Sequence, residues 1–267
     1  MRLKGKVIIV TGSTMGIGKA IAKKVVEEGA KVIIHGLEED LGIQVVEEIG
    51  AEQAKLHIED ITNDGAGQRL VDLAIATWGR LDSIVNNAAL VAASTIHTTD
   101  KAFLNRILDI NTFAPLFLIK SALPYLIESR GAVLNIGSIN AWSGEDNLLA
   151  YSISKGALMT MTRNLGDSIF RENGVRVNQI NPGWVLTEKE IERKKEHGLA
   201  DSWYKELSKM YAPAGRIIWP EEIGAATIYW LSDESGPISG QVVDLEQFPM
   251  IGRNIPKDST TIPHKKN

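Results

Sequence analysis

Tyr151 and Lys155 stand four residues apart in the run YSISK, so on a helix they share one face. A phenol and an ammonium each titrate at about pH 10 when unperturbed. Side by side, the cation favours the phenolate, and a phenol brought down by a few pKa units can give and take a proton near neutrality. The spacing therefore predicts a general acid/base in Tyr151, tuned by Lys155. A second stretch, TGSTMGIG, sets Gly12, Gly16 and Gly18 between an apolar run and a helical pattern. Glycines at such a turn let the backbone approach a ligand closely, and the first turn of the next helix offers free N–H groups and a positive dipole end. That arrangement suits a pyrophosphate. A Walker-type loop fits poorly, because Gly18-Lys19 is followed by Ala20 and the place five before Gly18 is Ser13.

These residues need a frame, and the chain alternates short β-branched runs with helical stretches. The runs lie at 6–12, 31–36, 53–60, 81–89, 131–138, 174–183 and 240–246. Helical patterns fall between them, including a long one over 100–129 that Pro115 and Pro124 are expected to kink or split. Continuous apolar strands separated by helices mean a parallel sheet covered on both faces. The expected fold is α/β: a single doubly wound Rossmann-like domain over residues 1–250, with a seven-stranded parallel sheet and ligands at the carboxyl ends of the strands. Residues 184–219, charged and rich in aromatic rings, read as a mobile substrate lid inserted in that domain, and 251–267 as a polar tail.

Composition removes several classes of function. With 267 residues, 44% hydrophobic, 23% charged and a net charge of −4, the chain has no general attraction to nucleic acid or an anionic membrane. There is no cysteine, which excludes disulfides, thiol nucleophiles and thiolate metal sites. The five histidines, 35, 57, 97, 197 and 264, are scattered, so no metal site is expected. No run approaches the roughly 18–20 uninterrupted apolar residues of a membrane span. The opening MRLKGKVIIVTG has neither the apolar length nor the cleavage site of a signal peptide, and a cytoplasmic protein with a small-molecule substrate is expected.

TGSTMGIG, NNAA at 86–89, Ser138 thirteen residues before Tyr151, and YSISK, taken in this order, resemble the short-chain dehydrogenase/reductase family in its compact form, from Lys4 to about Leu245. Sugar and polyol dehydrogenases and 3-oxoacyl reductases of that family are the members it looks like. The resemblance implies a subunit that binds NAD(H) or NADP(H), interconverts an alcohol and a ketone, and works as a homodimer or homotetramer. It implies that Tyr151 exchanges the substrate proton and that Lys155 also holds the nicotinamide ribose. Ser138 would hold the substrate oxygen, and Asn111, in LDINTFAP, would position a water beyond the lysine. Cofactor contacts carried over in this way are Gly12, Thr14, Met15, Gly16, Ile17 and Gly18 at the turn. Further along they are Gly36 and Leu37, Asp60 and Ile61, Asn86 and Ala88, Tyr151 and Lys155, and Val185 and Thr187 in NPGWVLTE. Asn87 is expected to brace the sheet.

The end of the second strand separates the two nicotinamides in that family. Here Gly36 takes the place of the acid common among NAD users, and Leu37 and Met15 the places where NADP users carry cations. With Glu38, Glu39 and Asp40 close by, an extra phosphate is poorly tolerated unless His35 is protonated, so NAD is the expected cofactor. The chain departs from the family in NNAA for NNAG, and in Leu245-Glu246-Gln247-Phe248 where relatives often read Val-Asp-Gly-Gly. Ser138, Asn140, Trp142, Glu145, Tyr151 and Trp184 are the expected substrate walls, with His97, Asn147, Trp203 and Tyr204 nearby. Hydrogen-bonding groups among flat aromatic faces suit a sugar, aldonate or polyol. The alternatives are a 3-oxoacyl thioester reductase, a sugar-nucleotide epimerase, and a dinucleotide-binding redox sensor without catalysis.

Overall fold

The computed structural model describes residues 1–142, 144–196 and 198–251. His197 and the tail expected over 251–267, Ile251 apart, therefore lie outside the described residues.

The apolar runs become seven strands: Val7–Val10 (β1), Lys31–Gly36 (β2), Ala54–Ile58 (β3), Ser83–Asn86 (β4), Ala132–Ile136 (β5), Arg176–Pro182 (β6) and Val242–Leu245 (β7). All pair in parallel, in the order β3-β2-β1-β4-β5-β6-β7. Each residue of β1 is buried because alternate side chains feed two cores. Ile8 and Val10 pack with Ile21 and Val25 of α1 (Gly16–Glu27) and with Ile228 and Leu231 of α8 (Pro220–Leu231). Val7 and Ile9 face the other way, toward Leu70 of α3 (Ala66–Trp78), Leu118 of α5 (Ala114–Ser129) and Ile169 of α6 (Leu149–Asn173). Each such side chain stabilises the fold by roughly 1.5–3 kcal/mol. α2 (Glu39–Ile49) follows β2. The chain builds outward from β1 to β3 and then returns to the other side of β1, so a cleft opens between the carboxyl ends of β1 and β4.

Residues 101–129 are interrupted just before Pro115 and not at Pro124. Pro115 sits in the first turn of α5, directly after helical backbone whose hydrogen-bond ladder its missing N–H weakens, and Pro124 is accommodated inside that helix. The distortion is a π-helical turn, Asp109–Phe113, between α4 (Lys101–Leu108) and α5, and it carries Asn111. The stretch Lys101–Ser129 has the length and mean hydropathy, 1.4, to cross a bilayer. Its apolar residues Leu118, Ile119, Ala122 and Leu126 are instead part of the core.

Between β6 and α8 the chain forms α7 (Glu188–Glu196) and a short 3₁₀ turn, Trp203–Lys205. Trp203, Ala212 and Ile217 make a small core of their own with Trp184, Leu186, Tyr204 and Leu207. The atypical residues after β7 fasten both ends of this segment. Glu246 accepts the Trp184 N–H at 3.0 Å. Gln247 accepts the Ala214 N–H at 2.9 Å and donates to the Arg216 carbonyl at 2.7 Å.

Candidate active site

The glycine turn is built by close contacts. Gly12 has φ +61° and Gly16 φ +55°, values that favour glycine, and a Cβ on Gly12 would lie 2.8 Å from the Ala88 Cα. A Cβ on Gly18 would overlap the Gly12 carbonyl oxygen. Asn87, expected to brace the sheet, ties the glycine turn: its carboxamide donates to Thr11 O at 3.0 Å and to Gly12 O at 2.8 Å. The Thr11 hydroxyl accepts the Asn87 and Ala88 N–H groups. Met15 stands at the N-cap of α1, which has no side-chain cap and no acid in its first turn. That uncapped terminus beside two left-handed glycines fits an anionic diphosphate. Thr187 overhangs it, with its methyl group 3.4 Å from where a Cβ on Gly16 would be, while the Val185 backbone bridges Ile218. Ile17 leans against the core instead.

At the end of β2, a side chain on Gly36 would strike Thr14, with a Cβ 2.5 Å from its methyl group, which is why no acid stands there. Leu37 is exposed. Glu38 turns back to the cleft, accepting from the Thr14 hydroxyl at 2.8 Å and from Lys189 of α7 at 3.0 Å. Partial burial works against its charge, but these two bonds outweigh it and hold the carboxyl below the usual range. His35 is buried and stacked 6.3 Å from His57, and burial pushes its imidazole down to about 4. It is therefore neutral near pH 7 and offsets none of the negative charge. Burial opposes ionisation of Asp60 too, yet hydrogen bonds from Arg106 (2.7 Å) and Thr62 (2.7 Å) hold it down at about 2. Ile61 packs on the second core. The Asn86 side chain is buried and donates to Asn135 at 2.8 Å.

On the other side of the cleft, four polar residues converge. Tyr151 and Lys155 project from one face of α6, Ser138 follows β5, and Asn111 comes from the π turn; all are buried. Ser138 hydrogen-bonds the Tyr151 phenol, and its Oγ also accepts the Asn140 N–H at 3.1 Å. Lys155 Nζ lies 5.7 Å from the Tyr151 ring centre and donates to the Ile136 carbonyl at 2.8 Å. Asn111 donates to Leu90 O at 3.0 Å and to the Ser154 hydroxyl at 2.9 Å, and Ser154 in turn donates to Tyr151 O at 2.7 Å. The proton balance corrects the expectation drawn from spacing alone. Burial raises the Tyr151 phenol above its ordinary value; the Ser138 hydrogen bond and the charge of Arg193 pull against this, and Glu145 adds to it. Burial also pushes Lys155 down to about 7. Desolvation penalises both charged forms and is the largest cause of each shift.

The expected substrate walls divide. Trp184 stacks on Trp203 at 5.2 Å, and Trp203 meets Tyr204 edge-on at 5.7 Å. Trp142 is tied away from them, its indole N–H on Asp244 of β7 at 2.9 Å and its ring under Arg163. Glu145, Asn147 and His97 are exposed. Glu38 was one of three acids named after the second strand and Glu246-Gln247 was named only as a departure from the family, while Ser154 and Arg193 were not singled out by sequence. Only Ser154 carried a signal, as a hydroxyl on the buried face of a helix.

A glycine turn open to a diphosphate, set beside a buried phenol and amine, describes a dinucleotide-dependent oxidoreductase. A family model described as Enoyl-(Acyl carrier protein) reductase matches residues 12–246. An NADP-dependent (R)-specific alcohol dehydrogenase of Lentilactobacillus kefiri is 33% identical over 88% of this chain and 92% of its own. Glucose 1-dehydrogenase 2 of Bacillus subtilis is 31% identical over 89% and 92%. L-fucose dehydrogenase of Rattus norvegicus is 34% identical over 87% and 85%. The chain belongs to the short-chain dehydrogenase/reductase family, whose members are NAD(P)-dependent oxidoreductases acting on alcohol groups.

Proposed function

We propose that this protein interconverts a secondary alcohol and a ketone on a sugar, aldonate or polyol, with Tyr151 as general acid/base and NAD as cofactor. The burial of Ser138, Tyr151, Lys155 and Asn111 together carries the reading. A bound nicotinamide supplies the hydride acceptor or donor. Gly12, Gly16, Gly18 and the free N–H groups of α1 would hold its diphosphate, Lys155 its ribose, and Val185 and Thr187 the nicotinamide side. Ser138 orients the substrate oxygen, Tyr151 exchanges the proton with it, and Asn111 and Ser154 keep that part of α6 in place. Glucose and fucose dehydrogenases among the relatives support the sugar-like class. The test is absorbance of the reduced nicotinamide with both cofactors and a panel of sugars, aldonates, polyols and 3-oxoacyl thioesters. Tight dinucleotide binding without turnover of any of these would instead favour a redox sensor.

The direction of the proton shifts sets a pH dependence. A phenol raised by burial stays protonated at neutrality, and Lys155 carries its charge below about 7 and loses it above. Ketone reduction, which needs the protonated phenol, is expected to hold through pH 7 and to fall only in the alkaline range, where alcohol oxidation, which needs the phenolate, should climb. Initial rates in both directions from pH 5 to 10 check this, and a neutral optimum for oxidation would contradict it.

Cofactor preference rests on Glu38, anionic beside a neutral His35. Glu38→Gln should lower the ratio of NAD to NADP efficiency by roughly tenfold, as expected for about 1.4 kcal/mol of repulsion at a half-exposed site. A ratio unchanged by the substitution would remove Glu38 from cofactor choice. A homodimer or homotetramer fits the apolar side chains Phe113, Leu116, Phe117 and Ile153, which stand exposed on α5, α6 and the π turn between α4 and α5. Light scattering in solution measures that mass directly.

A further inference from the structure

Four buried side-chain polar atoms among the described residues find no hydrogen-bond partner: His35 Nε2, Ser83 Oγ, Arg193 Nε and Trp203 Nε1. The first two sit on β2 and β4. The last two are both N–H donors in the 184–219 segment, and they belong to one side-chain cluster. Trp203 stacks on Trp184, and the Trp184 indole N–H donates to Glu190 Oε1 at 2.8 Å. Glu190, itself buried, pairs through Oε2 with Arg193 Nη2, and Lys194 lies 3.9 Å from Glu190 and 5.3 Å over the Trp184 ring.

A buried donor left unpaired costs about 1–3 kcal/mol, and such groups in a native fold call for an explanation. Two in one aromatic cluster, with no unpaired acceptor beside them, describe a place for an acceptor that arrives with a ligand. Within the cluster the cations Arg193 and Lys194 stand against Glu190 and against Glu246, whose carboxylate accepts the Trp184 backbone N–H, so the charges balance before a ligand arrives. This cluster is also next to the chemistry, since the Arg193 charge reaches the Tyr151 hydroxyl. Glu145 faces the same hydroxyl from the rim, but it is exposed and screened by water.

We propose that Arg193 and Trp203 form an anchor for a carboxylate on the substrate, so that the alcohol oxidised at Tyr151 belongs to a hydroxy acid such as an aldonate rather than to a neutral sugar or polyol. The anchor rests on the functional reading above and narrows it. A carboxylate brings acceptors for both free N–H groups. Glu190 fixes the guanidinium from behind, leaving Nε for the ligand, and an Arg–carboxylate contact of this kind is stronger than a neutral hydrogen bond. A phosphate ester carries close to two charges and would meet Glu190 and Glu145 with the second of them.

The test uses the full chain and defined probes: D-gluconate, D-glucose, D-glucitol and D-glucose 6-phosphate, with their five-carbon counterparts. Steady-state oxidation is expected to give the aldonates a kcat/KM at least about tenfold above the matching sugars, equivalent to about 1.4 kcal/mol. Arg193→Gln should lower that acid-to-sugar ratio by about tenfold, mainly through the KM of the acid, and Arg193→Lys should restore part of it. Trp203→Phe keeps the stacked ring and removes the donor, so a loss of a few-fold in the same ratio is expected from one hydrogen bond. Equal handling of acids and sugars, a preference for the phosphate ester, or an Arg193→Gln effect on the KM of the dinucleotide would overturn the anchor and leave the proposed reaction standing. Absence of turnover across the whole panel would overturn the sugar-like substrate class itself. The anchor is then decided by thermal shifts: gluconate, but not glucitol, should raise the Tm of the unmodified protein and fail to raise that of Trp203→Phe as much. Equal shifts for gluconate and glucitol would sink it.

Discussion

Replacing Tyr151 by Phe is expected to cut kcat by about 10²–10⁴-fold in both directions, the usual contribution of a general acid/base. The ring keeps its volume in a buried site, so Tm should stay within a few degrees, and dinucleotide affinity should hardly change. No neighbouring group can take over. Ser138 has no ready ionisation, Lys155 is held on the Ile136 carbonyl and is assigned to the ribose, and Asn111 is spent on Leu90 and Ser154. Single-turnover rates together with a dinucleotide titration separate the two effects. A variant that kept most of its activity would show that the proton moves by another route.

Gly18→Ala should produce the second large effect, on binding and stability. The new methyl group would overlap the Gly12 carbonyl oxygen and lie 2.5 Å from the Asn87 amide nitrogen. Neither can give way easily: one is backbone, and the other is held by hydrogen bonds to Thr11 and Gly12. α1 must then withdraw from the turn, at a cost of about 1–3 kcal/mol. For a chain of this size that is a Tm lower by roughly 2–12 °C. Dinucleotide affinity should fall by tenfold or more, because the withdrawn N–H groups are those that would meet the diphosphate. Calorimetric titration with NAD and a melting curve measure both, and unchanged affinity would mean that the turn is not the cofactor cradle.

The strands were legible because a fully buried parallel strand writes itself as an unbroken apolar run, as VIIV does in β1. The catalytic group was legible as a set of spacings, since Tyr151 and Lys155 share a helix face whatever surrounds them. What surrounds them was not. Spacing reports that a cation is near a phenol; only the fold reports that both are desolvated, and desolvation reverses the sign of the phenol's shift. The π turn leaves no mark in LDINTFAP beyond the proline that follows it, and Pro124, expected as a second break, sits inside an unbroken helix. Glu38, Glu39 and Asp40 look alike in a row of letters. In the fold Glu39 and Asp40 open α2 toward solvent, and only Glu38 bends back to Thr14. Arg193 was one cation among several in a charged helix until its neighbours left a nitrogen unpaired.

The clamp formed by Glu246 and Gln247 bears on any attempt to swap specificity between homologues. Residues 184–219 are the natural cassette to transplant, yet both of their stems are tied to a dipeptide more than twenty-five positions downstream of the cassette's end. A graft that brings in a foreign cassette against this dipeptide, or moves this cassette onto a recipient with Asp-Gly in its place, is expected to close loosely and turn over poorly. Carrying the dipeptide along as part of the graft should restore a fitted closure.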